Sequence, residues 1–153
     1  MHLSELTEPD LIFPDLEGID GPSVLREVSE RLAAAGRVRQ PRRLLERLLE
    51  RERLGSTALG HGVAVPHCRY QGSSKLLVAI GLCRQGVDFA AEDGEPVRVF
   101  FVVVSPASAA VEHLQCLAAI SRWVKNGRLA RLLELEEPDE IYRWLGEAAP
   151  ADV

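Results

Sequence analysis

The residues around His67 have the types and spacing that fix the direction of a reactive imidazole. A glycine-rich segment (residues 55–62), a short apolar run (residues 63–65) and Pro66 come directly before this histidine. Glycines allow backbone conformations closed to other residues and let the chain approach a ligand closely. The proline fixes its own φ angle and favours an extended Val65. We therefore expect residues 63–65 to form a buried strand and His67 to leave its end in a defined direction.

A neutral imidazole with an ordinary pKa of about 6.5 is a nucleophile near physiological pH, so His67 is a candidate for covalent chemistry. A second histidine, His113, falls in the first turns of a predicted helix. The partial positive charge of a helix N-terminus favours a nearby anion such as a phosphoryl group. For either histidine alone, a place as core or surface filler is an equally good interpretation. The glycine and proline context favours a functional role for His67.

A helix predicted after Pro41 would bring an arginine to the same region. Its leucine stripe lies within residues 44–49, and at 3.6 residues per turn Arg47 and Arg51 fall together on another face. Arg51 would lie near the end of this helix, beside the glycine-rich segment that leads to His67.

The rest of the chain alternates between helical and extended patterns, which predicts an α/β fold. Helical spacing of apolar residues predicts helices over residues 23–35, 109–124, 128–133 and 139–145. Apolar and β-branched runs predict central strands over residues 76–83 and 97–104. Between these strands we expect turns at Gly86 and over residues 91–96, around a short extended segment over residues 87–89. Ser105 and Ser108 offer caps for the helix that follows.

Two short elements and their surroundings carry a resemblance to a known family. Residues 64–67 are Ala-Val-Pro-His, and residues 112–114 are Glu-His-Leu. Arg-Glu at residues 51–52 and Leu-Gly-Ser-Thr at residues 54–57 precede the first element. Over residues 3–146 the chain resembles the IIA component of the phosphoenolpyruvate-dependent sugar phosphotransferase system, in its fructose, mannitol and nitrogen-regulatory branch.

The resemblance implies a fold, an activity and roles for four residues. The fold would be a single domain, residues 1–153, with a mixed β-sheet flanked by helices. The activity would be a phosphotransferase half-reaction through a phosphohistidine. His67 would accept the phosphoryl group, and His113 would stabilise it. Arg51 would balance its negative charge, and Ser56 would bind a phosphate oxygen.

The resemblance also implies partners. The donor would be a small histidine phosphocarrier of the HPr type, and no cofactor is expected. A regulatory, nitrogen-type protein would change its binding to kinases, transporters or metabolic enzymes with its phosphorylation state. An energy-coupling subunit would instead pass the phosphoryl group to a sugar-specific IIB domain. The Leu-Gly-Ser-Thr run favours the regulatory role.

A third alternative is a binding module that keeps the fold and lacks the chemistry. Cys68 is the only sign of it, because the family usually has glycine directly after the phosphorylated histidine.

Composition fits one domain and argues against several classes of protein. A chain of 153 residues with 46% hydrophobic content can build one core and is too short for two comfortable domains. A net charge of −5 argues against general nucleic-acid binding. No apolar run reaches the ~18 residues that cross a bilayer, and the first residues lack a signal-peptide pattern. We expect a cytoplasmic protein, since an odd number of cysteines without paired spacing fits a reducing compartment.

The charge is unevenly distributed along the chain. Residues 1–20 carry six acids and no lysine or arginine, whereas residues 26–53 carry nine arginines and five glutamates. A solvated helical face is the simplest interpretation of the basic segment. Alternatively, the basic segment binds an acidic partner or a substrate phosphate.

Three other kinds of site fit parts of the sequence less well. A zinc site would draw on nitrogen and sulfur ligands from His61, His67, Cys68, His113 and Cys116. Their spacing matches no common zinc pattern, so we expect no metal. Cys116 and Arg122 have the spacing of a phosphatase loop, but the residues between them include no glycine and lie in a predicted helix. Cys68 is expected to turn inward, since adjacent side chains on an extended segment point to opposite faces.

Overall fold

The two longest apolar runs of the sequence form the centre of one sheet. In the computed structural model, which describes residues 2–147, β5 (Leu77–Val87) pairs antiparallel with β6 (Val97–Ser105). Met1 and residues 148–153 of the predicted domain lie outside the described residues. The two strands were predicted to be central, and the structure confirms this.

Four shorter strands extend the sheet on its two sides. β1 (Ile12–Phe13) pairs parallel with β5. On the opposite side, β3 (Val63–Ala64) and β4 (His67–Arg69) each pair parallel with β6. β2 (Ala58–Gly60) pairs antiparallel with β3. The sheet is therefore six-stranded and mixed, as the resemblance implied.

Helices cover both faces of this sheet. The bounds are α1 Gly21–Ala34, α2 Pro41–Arg53, α3 Ala110–Lys125, α4 Leu129–Glu134 and α5 Pro138–Gly146. Each predicted helix is present, and the predicted ends lie within two residues of the observed ones. α1 begins two residues early because Asp20 and Ser23 form a reciprocal capping pair, in which each side chain accepts the other's backbone N–H.

Alternating side chains of β6 divide the core into two layers. Phe100 belongs to the same core layer as Leu25 of α1 and Leu44 of α2. Phe101, which points to the other face, belongs to the layer of Ile120 and lies edge-to-face with Trp123, both in α3. Because the sheet is covered on both faces, its central strands are almost continuously apolar in sequence.

The turn predicted at Gly86 is wrong. Gly86 lies inside β5, at a place where the pairing register with β6 shifts between Leu82 and Val87. Its φ of +75° belongs to the left-handed region, which suits a bulge in the strand. The chain reverses within residues 91–96, as predicted, where the Gly94 N–H donates to the Ala91 carbonyl over 3.0 Å. A local glycine signal does not distinguish a bulge from a turn.

The caps predicted for α3 are also wrong. The helix is preceded by a short 3₁₀ turn, Ala107–Ala109, and its N-cap residue Ala109 makes no side-chain capping bond. Ser105 is instead the last residue of β6 and is fully buried. Its hydroxyl is used within the functional site described below.

Two glycines with similar left-handed φ angles test the role of the bulge. A Cβ added at Gly86 would lie 2.9 Å from the Pro96 Cβ, whereas a Cβ at Gly94 (φ +72°) would meet nothing within 4 Å. Gly94→Ala should cost about 1 kcal/mol of unfolding free energy from backbone strain alone. Gly86→Ala should cost about 2–3 kcal/mol, because the strain and the contact add. Urea unfolding of both variants measures the difference, and equal costs would contradict it.

Candidate active site

His67 opens a strand that continues the line of β3. Val63 pairs with Val99 and His67 pairs with Val103, so β3 and β4 keep the same register on β6. Between them the ladder is interrupted at Pro66, which has no N–H to donate but accepts a hydrogen bond from the Val103 N–H over 2.9 Å. The expectation that His67 would lie beyond the end of its strand is therefore wrong: the residue begins β4.

The His67 ring is held by two hydrogen bonds. Nδ1 lies 2.8 Å from the carbonyl oxygen of Val65. A carbonyl only accepts, so Nδ1 carries the proton and donates it. Nε2 is then unprotonated, and it accepts a hydrogen bond from Nε of Arg51 over 3.3 Å. The lone pair of a half-buried imidazole nitrogen is thus directed at a guanidinium.

Arg51 lies in the last turn of α2, where the sequence placed it. Its Nη1 donates to the Gly55 carbonyl over 2.9 Å, which fixes the guanidinium beside the glycine-rich segment. Arg47 lies one turn earlier, and both arginines line a cleft of about 610 Å³ together with His67 and His113. The predicted shared face of Arg47 and Arg51 is confirmed.

His113 lies in the second turn of α3 and is buried. Its ring centroid is 5.4 Å from that of His67, in an edge-to-face arrangement. Its Nδ1 lies 2.6 Å from Oγ of Ser105. Burial lowers the pKa of His113 to about 4, and the proximity of His67 and Arg69 acts in the same direction. The ring is therefore neutral at physiological pH.

Two residues of this site were not identified from the sequence. Arg69 lines the cleft, and its Nη1 donates to the Ala107 carbonyl over 3.4 Å, which links β4 to the start of α3. Its position two residues after His67, on the same side of a strand, was the available signal. Ser105 gave no signal, because its contact with His113 depends on how α3 packs on β6.

Ser56 lines a smaller pocket of about 220 Å³ that also includes Arg51 and His67. Its hydroxyl donates to the Phe89 carbonyl over 2.6 Å and accepts from the Ala58 N–H over 3.1 Å. The hydroxyl hydrogen is thus already engaged. The role of Ser56 as a phosphate ligand stays a prediction.

Cys68 turns inward, as expected, and is buried, although it also contributes to the lining of the cleft. Its side chain belongs to the core layer under α1 and α2, and burial raises the pKa of its thiol to about 12. Cys116, in the middle of α3, belongs to the opposite layer, and burial likewise raises its pKa to about 12. Neither thiol is ionised near neutral pH, so neither is an activated nucleophile.

Two further features of residues 2–147 concern metal-binding groups and membrane-spanning helices. Within this part of the chain, no group of three or more histidine, cysteine or acidic side chains is arranged to hold a metal ion. In the same residues, every helix is too short or too polar to cross a bilayer.

The site thus combines a nucleophilic nitrogen with fixed cations and a neutral ring. His67 Nε2 carries a lone pair, Arg51 and Arg69 supply positive charge, and His113 lies edge-on beside the nucleophile. Guanidinium groups beside a nucleophile favour an anionic electrophile such as a phosphoryl group, because they stabilise its negative charge.

Comparisons with known proteins agree with this chemistry. The family model described as "Phosphoenolpyruvate-dependent sugar phosphotransferase system, EIIA 2" matches residues 5–148. A nitrogen regulatory protein of Bradyrhizobium diazoefficiens is 33% identical over 133 residues, which cover 87% of this chain and 86% of that protein. A fructose-specific EIIA component of Haloferax volcanii is 36% identical over 114 residues, 74% of each chain.

A solved structure extends the agreement to the fold. The crystal structure of the nitrogen regulatory protein IIA-Ntr from Neisseria meningitidis superposes with a TM-score of 0.83 at 29% identity, covering 93% of this chain and 97% of that one. The relatives therefore include nitrogen-regulatory and sugar-specific members. On the strength of the family match and these relatives, the chain belongs to the type 2 EIIA family of the phosphoenolpyruvate-dependent sugar phosphotransferase system.

Proposed function

We propose that this protein is a phosphocarrier that accepts a phosphoryl group on Nε2 of His67 from an HPr-type histidine phosphocarrier. One observation supports this most strongly. The Val65 carbonyl holds the Nδ1 proton of His67 over 2.8 Å, so Nε2 is unprotonated and exchanges its hydrogen bond from Arg51 for the bond to phosphorus. The nucleophile is thus oriented before a donor arrives, which reduces the entropic cost of the transfer.

The transfer needs no general base. The Nε2 lone pair forms the new bond to phosphorus while the bond between phosphorus and the donor's histidine nitrogen breaks. The donor nitrogen keeps that electron pair. His67 retains its Nδ1 proton throughout, and its hydrogen bond to Val65 becomes charge-assisted as the ring gains positive charge.

The cations of the cleft match the charge of the transferred group. A phosphoryl group in transfer carries negative charge on three oxygens. The Arg51 guanidinium lies against the nucleophilic nitrogen, and Arg69 and His113 line the same cleft. Positioned donors of this kind stabilise the transition state because they need no reorganisation during the reaction.

The surface around the cleft fits a protein donor better than a small one. Five large apolar side chains are exposed among residues 2–147, and four of them lie beside His67 in a pocket lining or next to His113 in sequence; we call these four, Leu54, Leu59, Val111 and Leu114, the docking face. Leu54 lines the cleft with His67, and Leu59 lines the smaller pocket beside it. Exposed apolar side chains grouped around a reactive site are typical of a protein-binding surface.

The regulatory, nitrogen-type role is the first candidate. It is supported by the relative from Bradyrhizobium diazoefficiens, a nitrogen regulatory protein that this chain matches over 86% of its length. The energy-coupling role, with transfer to a sugar-specific IIB domain, is the second candidate and is supported by the fructose-specific relative. The complete set of His67, His113 and Arg51 favours either role over a binding module without chemistry.

A cytoplasmic location accompanies this proposal. The three cysteines of the described chain are free and buried, which suits a reducing compartment.

His67 should be the only phosphorylated residue. Incubation with phosphoenolpyruvate, the first enzyme of the system and an HPr-type carrier should give one acid-labile phosphoryl adduct on the native protein, detected by intact-mass measurement. His67→Ala should take up none, while His61→Ala, which changes an exposed histidine outside the cleft, should label normally. Uptake by His67→Ala, or none by the native protein, would refute the assignment.

The docking face should matter for a protein donor and not for a small one. Leu54 is 85% exposed, so Leu54→Asp changes little in the core. We expect it to slow transfer from the HPr-type carrier by about tenfold or more, since an apolar contact in an interface is replaced by a charge. Labelling by phosphoramidate, which makes no protein contact with the docking face, should slow much less.

Ile19→Asp is the matched control for that variant. Ile19 is 82% exposed and does not line the cleft. Transfer from the carrier should be unaffected by this change. Equal slowing in both variants would show that a new negative charge, and not the docking face, is responsible.

The low pKa of His113 makes stability depend on pH. The unfolded chain protonates this histidine near pH 6.5, whereas the folded protein does so only near pH 4. Below pH 6.5 the unfolded state binds more protons, so the free energy of unfolding falls as the pH drops through this window. The loss attributable to His113 is on the order of 1–3 kcal/mol by pH 4.

Urea unfolding of the native protein and of His113→Gln between pH 7.5 and 4 measures this contribution. Glutamine does not titrate, so the variant should lose less stability than the native protein over the window. Parallel losses in the two proteins would mean that His113 has an ordinary pKa.

A further inference from the structure

His113 can offer either of two chemically different edges to the phosphoryl site. The ring is neutral at physiological pH, so only one of its two nitrogens carries a proton. A protonated Nε2 would donate a hydrogen bond toward an anion. An unprotonated Nε2 would direct a lone pair at it and would repel it. The value of His113 to the site therefore depends on its tautomer.

The contact with Ser105 decides between the two tautomers. Oγ of Ser105 lies 2.6 Å from Nδ1 of His113, and the serine is fully buried. Among the described residues, this hydroxyl has no other hydrogen-bond partner. If Nδ1–H donated to Oγ, the hydroxyl hydrogen would be buried without an acceptor, an arrangement that is strongly unfavourable. If the hydroxyl donates to Nδ1, both groups are satisfied and the ring proton is on Nε2.

We propose that Ser105 is a positioning residue that holds His113 in the Nε2–H tautomer, so that the ring donates a hydrogen bond toward the phosphoryl group on His67. This inference rests on the proposed function, because it takes His67 as the phosphoryl acceptor. It assigns to Ser105 a part in the transfer that neither its sequence position nor its burial would suggest.

Backbone hydrogen bonds fix the position of Ser105 relative to β4. Ser105 pairs with Arg69 in the register of β4 on β6, and its carbonyl accepts the Tyr70 N–H over 2.9 Å. The strand pairing that places His67 therefore also places the hydroxyl that orients His113. The contact explains a fully buried hydroxyl at the end of β6, whose other polar residue, Arg98, is only partly buried.

The two histidines then have opposite tautomers, each set by a group of the sheet. The Val65 carbonyl accepts from Nδ1 of His67 and frees Nε2 as a nucleophile. The Ser105 hydroxyl donates to Nδ1 of His113 and keeps the proton on Nε2. The ring centroids are 5.4 Å apart, so the nucleophilic nitrogen of one ring and the hydrogen-bond donor of the other are close enough to contact the same phosphoryl group.

The first test is spectroscopic and needs no phosphoryl transfer. Nitrogen-15 chemical shifts of the His113 ring at pH 7 should show a pure Nε2–H tautomer in the native protein. Ser105→Ala should give a mixture of tautomers or the Nδ1–H form, and Ser105→Thr, which keeps the hydroxyl, should restore the native form. A pure Nε2–H ring in Ser105→Ala would overturn the proposal.

The second test measures transfer, with phosphoramidate as a small phosphoryl donor that releases ammonia when its P–N bond breaks. Ser105→Ala should label about tenfold more slowly than the native protein, and His113→Ala about 10²–10³-fold more slowly. The double variant should be no slower than His113→Ala, because Ser105 acts through His113. Ser108→Ala, which removes an exposed hydroxyl three residues away, is the matched control and should keep the native rate.

The outcomes separate this inference from the proposed function. If the native protein takes up no label, the proposed function fails, whatever the ring tautomer. If the native protein labels normally and Ser105→Ala labels at the same rate while remaining folded, only the role of Ser105 fails. Additive losses in the double variant would equally overturn it, since they would show that Ser105 acts independently of His113.

Discussion

The parallel pairing of β4 with β6 is the constraint on which the site depends. The pairing resumes at His67 after the interruption at Pro66, in the register that β3 already has. Alternation along a strand then determines the rest of β4: His67 and Arg69 point to the cleft, and Cys68 points to the core. A shift by one residue would exchange these faces and would bury the imidazole.

The same pairing connects the cleft to two helices. β6 ends at Ser105, and the chain enters α3 within a few residues, which brings His113 back over the strand pair. From the other side, α2 ends beside the glycine-rich segment, with Arg51 bonded to the Gly55 carbonyl. The C-terminal end of a helix favours a cation, so Arg51 stabilises α2 as well as facing His67. The pairing of β4 with β6 therefore fixes His67 and provides the surface against which α2 and α3 place Arg51 and His113.

Local sequence patterns were sufficient for the helices, for the central strands and for three residues that the structure brings together in the cleft, Arg51, His67 and His113. Apolar periodicity located the helices and the two central strands, and the proline and glycine context singled out His67. Gly86 could not be assigned correctly, because a left-handed glycine fits a bulge as well as a turn and the partner strand decides between them. Ser105 was assigned to a helix cap, since its contact with His113 depends on the packing of a helix against a strand. Information of this kind is non-local and is absent from any short window of sequence.

The charge distribution of the cleft also affects how readily a bound phosphoryl group could be passed on. A phosphocarrier must release its phosphoryl group to a further acceptor, so a site that bound the group too strongly would trap it. In the unphosphorylated protein burial keeps His113 neutral, so under the proposed function the ring meets an incoming phosphoryl oxygen as a neutral hydrogen-bond donor and not as a fixed cation. The fixed positive charge comes from Arg51 and from the exposed Arg69, where solvent screens the attraction. Under the proposed function, the burial of His113 therefore limits the positive charge that holds the phosphoryl group, which favours its release to the next acceptor.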